Sequence, residues 1–468
     1  MQIANKKKLT VFGLVMLNVI AIDSLRTLPM SAEYGFSLVF YYVAAALLFF
    51  IPVALVSAEL ATGWPETGGI YVWVREAFGE QCGFLTIWLQ WFYNICWYPT
   101  IMSFIAATVA YCIDPALVNN KGYMITVVFV LFWGATLVNC FGMRASHLMN
   151  TTSAILGTLL PMLFIITLGG IWVLQGKALS IQFNWHSFFP DLSKINNMVL
   201  LTAVLYGLVG IEMSASHAGE VENPQRNYPK AILWSALLIL ASLVGASLAI
   251  ALVIPQKELN IVAGLLQAFE VFFKAFHISW AMPLLALAIV IGSIGSVGAW
   301  ILGPSKGLLM ACHDGCLPLK LAFKNKHGVP VAILFLQGII FTILCGTFIF
   351  MPTVTSSFWV LSNITSILAL LVYVAMFLAA IKLRYKRPEV HRAFRIPGGK
   401  IGLWSTCLIG LASCLFTIGI GFLPPPPSQI AVGNIHIYEW VMILGVLTSC
   451  VLPFIIYALH QLRRSHNK

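Results

Sequence analysis

AIDSLRTLP, residues 21–29, interrupts a hydrophobic stretch, TVFGLVMLNVIAIDSLRTLPMSAEYGFSLVFYY, that runs from Thr10 to Tyr42. A segment of that apolarity reads as membrane helix, yet it carries Asp23, Arg26 and Pro29 within seven residues. Pro29 has no N–H for the carbonyl of Leu25, and its ring crowds that carbonyl, so the helix is expected to open across Ile22 to Thr27. In hydrocarbon, open backbone is tolerated only where it is buried in protein or lines a watery cavity. The stretch therefore marks an interior pathway rather than a lipid-facing surface.

The rest of the chain supports a membrane setting. Of 468 residues, 60% are hydrophobic and 9% charged, and the mean hydropathy of +0.90 lies outside the range of ordinary soluble domains. Crossing a bilayer takes about 20 apolar residues. Twelve runs qualify, near 9–32, 36–61, 83–112, 122–141, 149–174, 197–219, 230–254, 280–311, 331–351, 355–381, 401–423 and 437–461. The expected fold is an all-α membrane protein of twelve transmembrane helices. The first run follows a KKK, but it is too long for a secretory signal and has no small-residue cleavage site. It is read as a retained helix.

With the N-terminus inside, the inner connections hold 21 Lys and Arg and the outer ones 5. Basic residues resist translocation, so both termini are expected in the cytoplasm. The same bias accounts for the net charge of +11 without a nucleic-acid partner. The largest basic cluster, KLRYKRPEVHRAFRIPGGK at 382–400, fits a cytoplasmic loop facing anionic headgroups. Ten scattered cysteines form no disulfide or metal framework. Cys312 and Cys316, with His313 and Asp314 between them, are read as buried or lipid-facing thiols rather than metal ligands. No Walker sequence or catalytic signature appears, so neither an enzyme nor a cofactor is expected.

A second interruption falls in the sixth run. In YGLVGIEMSASH, 206–217, Gly207 and Gly210 weaken the helix just before the intramembrane Glu212. Broken helices five spans apart match transporters built as inverted repeats, in which half-helix amides face a substrate carboxylate and freed carbonyls face a cation or amine. The alternative is two kinks that only let helices pack closely. Intramembrane charge costs about 2.5–3.5 kcal/mol even on a lenient scale, so these residues should have partners or face a pathway. Asp23 and Arg26, three apart, either neutralise each other or contact substrate. Glu212 is a candidate proton carrier or gate. Tyr93, Trp97, Tyr98, Tyr206 and Trp300 are candidate cavity aromatics by their position near the breaks. His217 near Glu220, and Thr151, Thr152, Ser293 and Ser296 as sodium ligands, are weaker readings than loop-edge and packing roles.

Several motifs carry a family resemblance. SAELATGWPETGGIYVWVREAFGEQCGF at 57–84 and GEVENPQRNYPKAI at 219–232 resemble the amino acid–polyamine–organocation superfamily. GFSLVF at 35–40, FFPDLSK at 188–194, GIEMSASH at 210–217, WILGPSKG at 300–307, FRIPGGK at 394–400 and VLPFIIYALH at 451–460 resemble its bacterial glutamate/GABA antiporter family. The resemblance implies a five-plus-five inverted repeat with discontinuous helices 1 and 6, working by alternating access. Residues 1–195 and 196–400 would hold the two repeats with their connecting loops, and 401–468 the last two spans.

It also implies a substrate site at Ile22, Asp23, Ser24 and Leu25, an aromatic gate at Tyr206 and Trp300, the helix 6 break at Gly207 to Gly210, and Glu212 as the acidic coupling position. Arg26, Tyr93, Trp97 and Tyr98 complete the expected site. The acid-resistance antiporter of this family has acidic residues where this chain has Thr27 and Ser296, and an aromatic where it has Arg26. Fewer negative charges and an added cation favour anionic substrates. The chain ends at Lys468, soon after the last span, so the cytoplasmic plug of acid-resistance members is expected to be missing.

The expected function is an inner-membrane amino acid exchanger for acidic substrates, acting as monomer or homodimer in the lipid bilayer. The alternatives are a proton- or sodium-coupled symporter of neutral amino acids and a transporter-fold sensor.

Overall fold

The computed structural model describes residues 10–66, 68–141, 155–190, 195–199, 201–212, 223–426, 430 and 432–466. Every regular element among them is helical. The first run becomes α1 (Val11–Ile22) and α2 (Leu28–Ala32), joined by extended Asp23 and Ser24 and a single 3-10 turn, Leu25–Thr27. The two halves are bent by 45°. Pro29 sits in the first turn of α2, where its missing N–H costs no helical bond. The opening lies where Pro29 and the polar residues of 21–29 place it.

The following elements are α3 (Gly35–Gly63), the short amphipathic α4 (Ile70–Phe78), α5 (Glu80–Ile113), α6 (Lys121–Cys140) and α7 (Ile155–Leu174). The sixth run begins as α8 (Leu201–Tyr206) and ends in turns over Gly207 to Gly210. Gly210 has φ +127°, a conformation that glycine adopts at little cost. Beyond Glu212 this run lies outside the described residues, as do His217, Glu220, Thr151 and Thr152. Then come α9 (Pro224–Val253), α10 (Gly264–Ala275), α11 (Met282–His313), α12 (Val331–Leu344), α13 (Val354–Lys386), α14 (Gly399–Gly421) and α15 (Ile435–His466). Among the described residues, ten helices are long and apolar enough to cross a membrane, and the bent α1–α2 pair makes an eleventh.

Helices α5 and α13 run through the interior, whereas α14 and α15 lie at the periphery. Leu and Ile side chains on α12, α14 and α15, such as Ile343, Leu408 and Leu447, are exposed, as lipid-facing surfaces require. Close helix approach depends on small residues in places. A Cβ on Gly157, at the start of α7, would fall inside the backbone of Gly292 on α11.

One end of the bundle is fastened by buried charge. Glu59 near the end of α3 pairs with Arg384 of α13, lies 3.5 Å from Arg392, and accepts the Ile396 N–H at 2.9 Å. Arg392 also lies over the Trp64 ring. Nearby, Tyr71 and Arg75 of α4 both bond Asp314 at the end of α11. Asp314 is thus engaged with α4, while the Cys312 and Cys316 thiols beside it are buried.

Candidate functional site

Both helix breaks open onto one cavity of about 100 Å³. Its walls include Ile22, Asp23, Ser24, Leu25, Arg26 and Thr27 from the α1–α2 break, and Tyr206, Gly207, Gly210 and Glu212 from the end of α8. Tyr93 and Trp97 of α5 and Trp300 of α11 close the sides. The breaks face each other closely, since a Cβ on Gly207 would lie 3.7 Å from Thr27 Oγ1. The helical segment after Ser24 presents its positive N-terminal end at this cavity, and first-turn amides have no intrahelical acceptor.

Of the aromatic residues singled out in the sequence, Tyr98 is the exception. It is not among the cavity residues; its ring packs on Phe132 and its hydroxyl donates to the Trp300 carbonyl at 3.0 Å. Tyr93 and Trp97 are four residues apart on one face of α5, and Tyr98 is turned about 100° away from Trp97. Tyr98 therefore supports the backbone that carries Trp300, whose ring stands 5.9 Å from that of Trp97.

The two charges of the first break do not pair with each other. Asp23 accepts a hydrogen bond from Ser242 of α9 at 2.9 Å, and its other oxygen has no partner among the described residues. Arg26, 1% exposed, donates from Nη1 to Ser362 of α13 at 3.2 Å. Its guanidinium lies 5.5 Å from the Tyr206 ring centre and 5.7 Å from that of Phe358, while Nε has no partner among the described residues. Among the described residues, no carboxylate lies within 4.0 Å of it. Of the two readings left open by the sequence, mutual neutralisation is thereby removed.

Glu212 is 5% exposed and accepts the Tyr373 hydroxyl at 2.5 Å. That hydroxyl also accepts the Gly210 N–H at 3.1 Å. Tyr373 thus bridges an orphaned amide of the second break to the buried carboxylate. Of the suggested ion ligands, Ser293 lines the cavity, and the Ser296 side chain lies outside the described residues.

Ser242, Ser362, Phe358 and Tyr373 were not identified from the sequence. A signal existed for two of them. Ser362 and Tyr373 are eleven residues apart on α13, about three turns, and so share one face of an apolar helix. Asn94, Ile101, Phe104, Thr158, Val209 and Val297 complete much of the wall, and ordinary packing residues of this kind give no sequence signal.

Comparison with known proteins fits this architecture. The family model described as amino acid permease matches residues 8–447. An uncharacterized transporter of Legionella pneumophila is 50% identical over 98% of both chains. Two glutamate/gamma-aminobutyrate antiporters, from two Lactococcus lactis strains, are 32% and 33% identical over 99% of this chain and 92% of theirs.

Proposed function

The chain belongs to the amino acid permease family, a family of membrane transporters, and on that premise we propose that it exchanges acidic amino acids across a bacterial inner membrane. The observation that carries the substrate class is Arg26, a buried cation on the cavity wall with no carboxylate partner among the described residues. An unpaired buried charge is costly, and a substrate carboxylate entering the cavity supplies the missing counter-ion.

The division of labour follows from the two breaks. Amides at the start of the segment after Ser24 take the α-carboxylate, and carbonyls freed at Tyr206 to Gly210 take the α-amine. Arg26 meets the side-chain carboxylate, and Tyr93, Trp97, Tyr206 and Trp300 exclude water around the apolar carbons. Glu212, held by Tyr373, couples the second break to α13. In this reading residues 1–195 and 196–400 are the two repeats that rock against each other, 401–468 flanks them, and both termini are cytoplasmic. The Lactococcus lactis relatives, named as glutamate/gamma-aminobutyrate antiporters, support exchange.

The test is a competition panel of acidic, neutral and cationic amino acids against labelled glutamate counterflow in proteoliposomes, repeated with Arg26→Ala. Acidic competitors should rank first in the wild type and lose that rank in the variant. An unchanged ranking would make Arg26 a structural residue.

A further inference from the structure

We propose that Asp23 is a proton-binding residue of the transport cycle, protonated while bonded to Ser242 and releasing its proton to water when α1 parts from α9. This rests on reading the α1–α2 break as the wall of the transport cavity.

Ser242 has a single hydroxyl hydrogen and two acceptors in reach, Asp23 Oδ2 at 2.9 Å and the Ile239 carbonyl of its own helix at 3.0 Å. An ionised Asp23 would share that one hydrogen with the carbonyl, and its Oδ1 would stay bare. No described cation lies within 4.0 Å to compensate it. A carboxylate so placed, 6% exposed at membrane depth, bears a desolvation cost with almost nothing set against it. The neutral acid removes the conflict. Its O–H donates to Ser242 Oγ, and the Ser242 hydrogen goes to Ile239, so the chain closes with each hydrogen used once.

The surroundings leave Asp23 as the proton site of this seam. Helix α1 packs along α9 and against the start of α7. From α9 the facing polar group is Ser242, and from the start of α7 it is Thr158; neither is ionisable in this range. The α3 residue Tyr42 lies within electrostatic range, with its hydroxyl 2.9 Å from that of Ser31. Arg26 follows three residues later on the same segment but is turned to Ser362. Across the cavity stand Tyr93, Tyr206 and Glu212. The seam continues with Asn18 donating to Ser235 at 2.9 Å, so among the described residues α1 and α9 are joined by side-chain hydrogen bonds rather than an ion pair. Separating them exposes the apolar side chains packed along the seam but breaks no ion pair among the described residues; water can replace the lost hydrogen bonds, and the same separation wets Asp23 and lets its proton leave.

Infrared spectra of the purified protein in nanodiscs at neutral pH, for wild type, Asp23→Asn and Ser242→Ala, test the protonation directly. The wild type minus Asp23→Asn difference should contain a carboxylic-acid C=O band, and Ser242→Ala should move that band to higher frequency. Only carboxylate bands in that difference would overturn the proposal. If Asp23→Asn does not fold, the Ser242→Ala shift alone assigns the band, and an unshifted spectrum overturns the proposal. In proteoliposomes holding a pH-reporting dye, labelled substrate movement by the wild type should carry protons, and the proton-to-substrate ratio should fall to background in Asp23→Asn. A ratio that survives the substitution refutes a role for Asp23 in coupling. Wild-type protein that moves no amino acid would sink the exchanger reading, while the infrared band would still decide the state of Asp23.

Discussion

Replacing Arg26 by Met separates recognition of charge from packing. Methionine is unbranched and can occupy the space between Tyr206 and Phe358 without a charge. If Arg26 is the counter-ion of a substrate carboxylate, its loss should cost about 2–5 kcal/mol for an acidic ligand, as measured for truncated buried charge pairs. The lower end is roughly a 30-fold rise in Kd. A neutral amino acid makes only the backbone contacts at the two breaks, and its Kd should change by less than about threefold, or about 0.6 kcal/mol.

Ligand-induced stabilisation turns this into an assay on purified protein. At a concentration of about 100 times the wild-type Kd, an acidic ligand stabilises the wild type by about 2.7 kcal/mol. A 30-fold weaker Kd at the same concentration leaves about 0.9 kcal/mol. The empty variant should melt no lower than the empty wild type, because removing an unpaired buried cation relieves a desolvation cost. Thermal unfolding with a glutamate and an alanine series reads all three quantities. Equal loss for both ligands, or a large drop for the empty variant, would refute the counter-ion argument.

Other perturbations test the supporting structure. Tyr373→Phe removes the hydroxyl between Gly210 and Glu212; leaving a buried amide unsatisfied should destabilise the protein by about 1–3 kcal/mol in chemical or thermal unfolding. Glu59→Gln strips the carboxylate from Arg384 and Arg392 and should cost about 3–5 kcal/mol, with faster tryptic cleavage at Arg392 and Arg395 as the local readout. Gly157→Val cannot be accommodated against Gly292 and should abolish the monodisperse protein peak in detergent. At the turn between α2 and α3, burial pushes the Glu33 carboxyl up to about 8 from 4.5. A raised acid binds its proton more tightly in the folded state, so stability from this group is full below about pH 4.5 and is lost as pH rises through about 8. Glu33→Gln should flatten that part of the melting curve against pH.

The sequence marks the breaks because local chemistry makes them. Pro29 cannot donate to Leu25, and Gly207 and Gly210 weaken their helix wherever they are placed. The line-up of Arg26, Tyr93, Trp97, Tyr206 and Trp300 around one cavity also follows from their positions relative to those breaks. The partners of the charges were not legible, because Ser242 lies 219 positions from Asp23 and Ser362 lies 336 positions from Arg26. Spacing along one helix suggested that Asp23 and Arg26 face each other. The extended backbone at Asp23 and Ser24 breaks that periodicity and sends the two side chains to different helices. Tyr98 falls outside the cavity wall for a related reason, since adjacent residues on a helix do not share a face.

On the proposed function, acidic amino acids exchange through the cavity at the two breaks. Uptake of labelled glutamate into proteoliposomes that are either empty or loaded with unlabelled glutamate tests it most directly. Rapid uptake is expected only into loaded vesicles, displaced by external aspartate and not by lysine. Equal uptake into empty vesicles, or displacement by lysine in preference to aspartate, would contradict it.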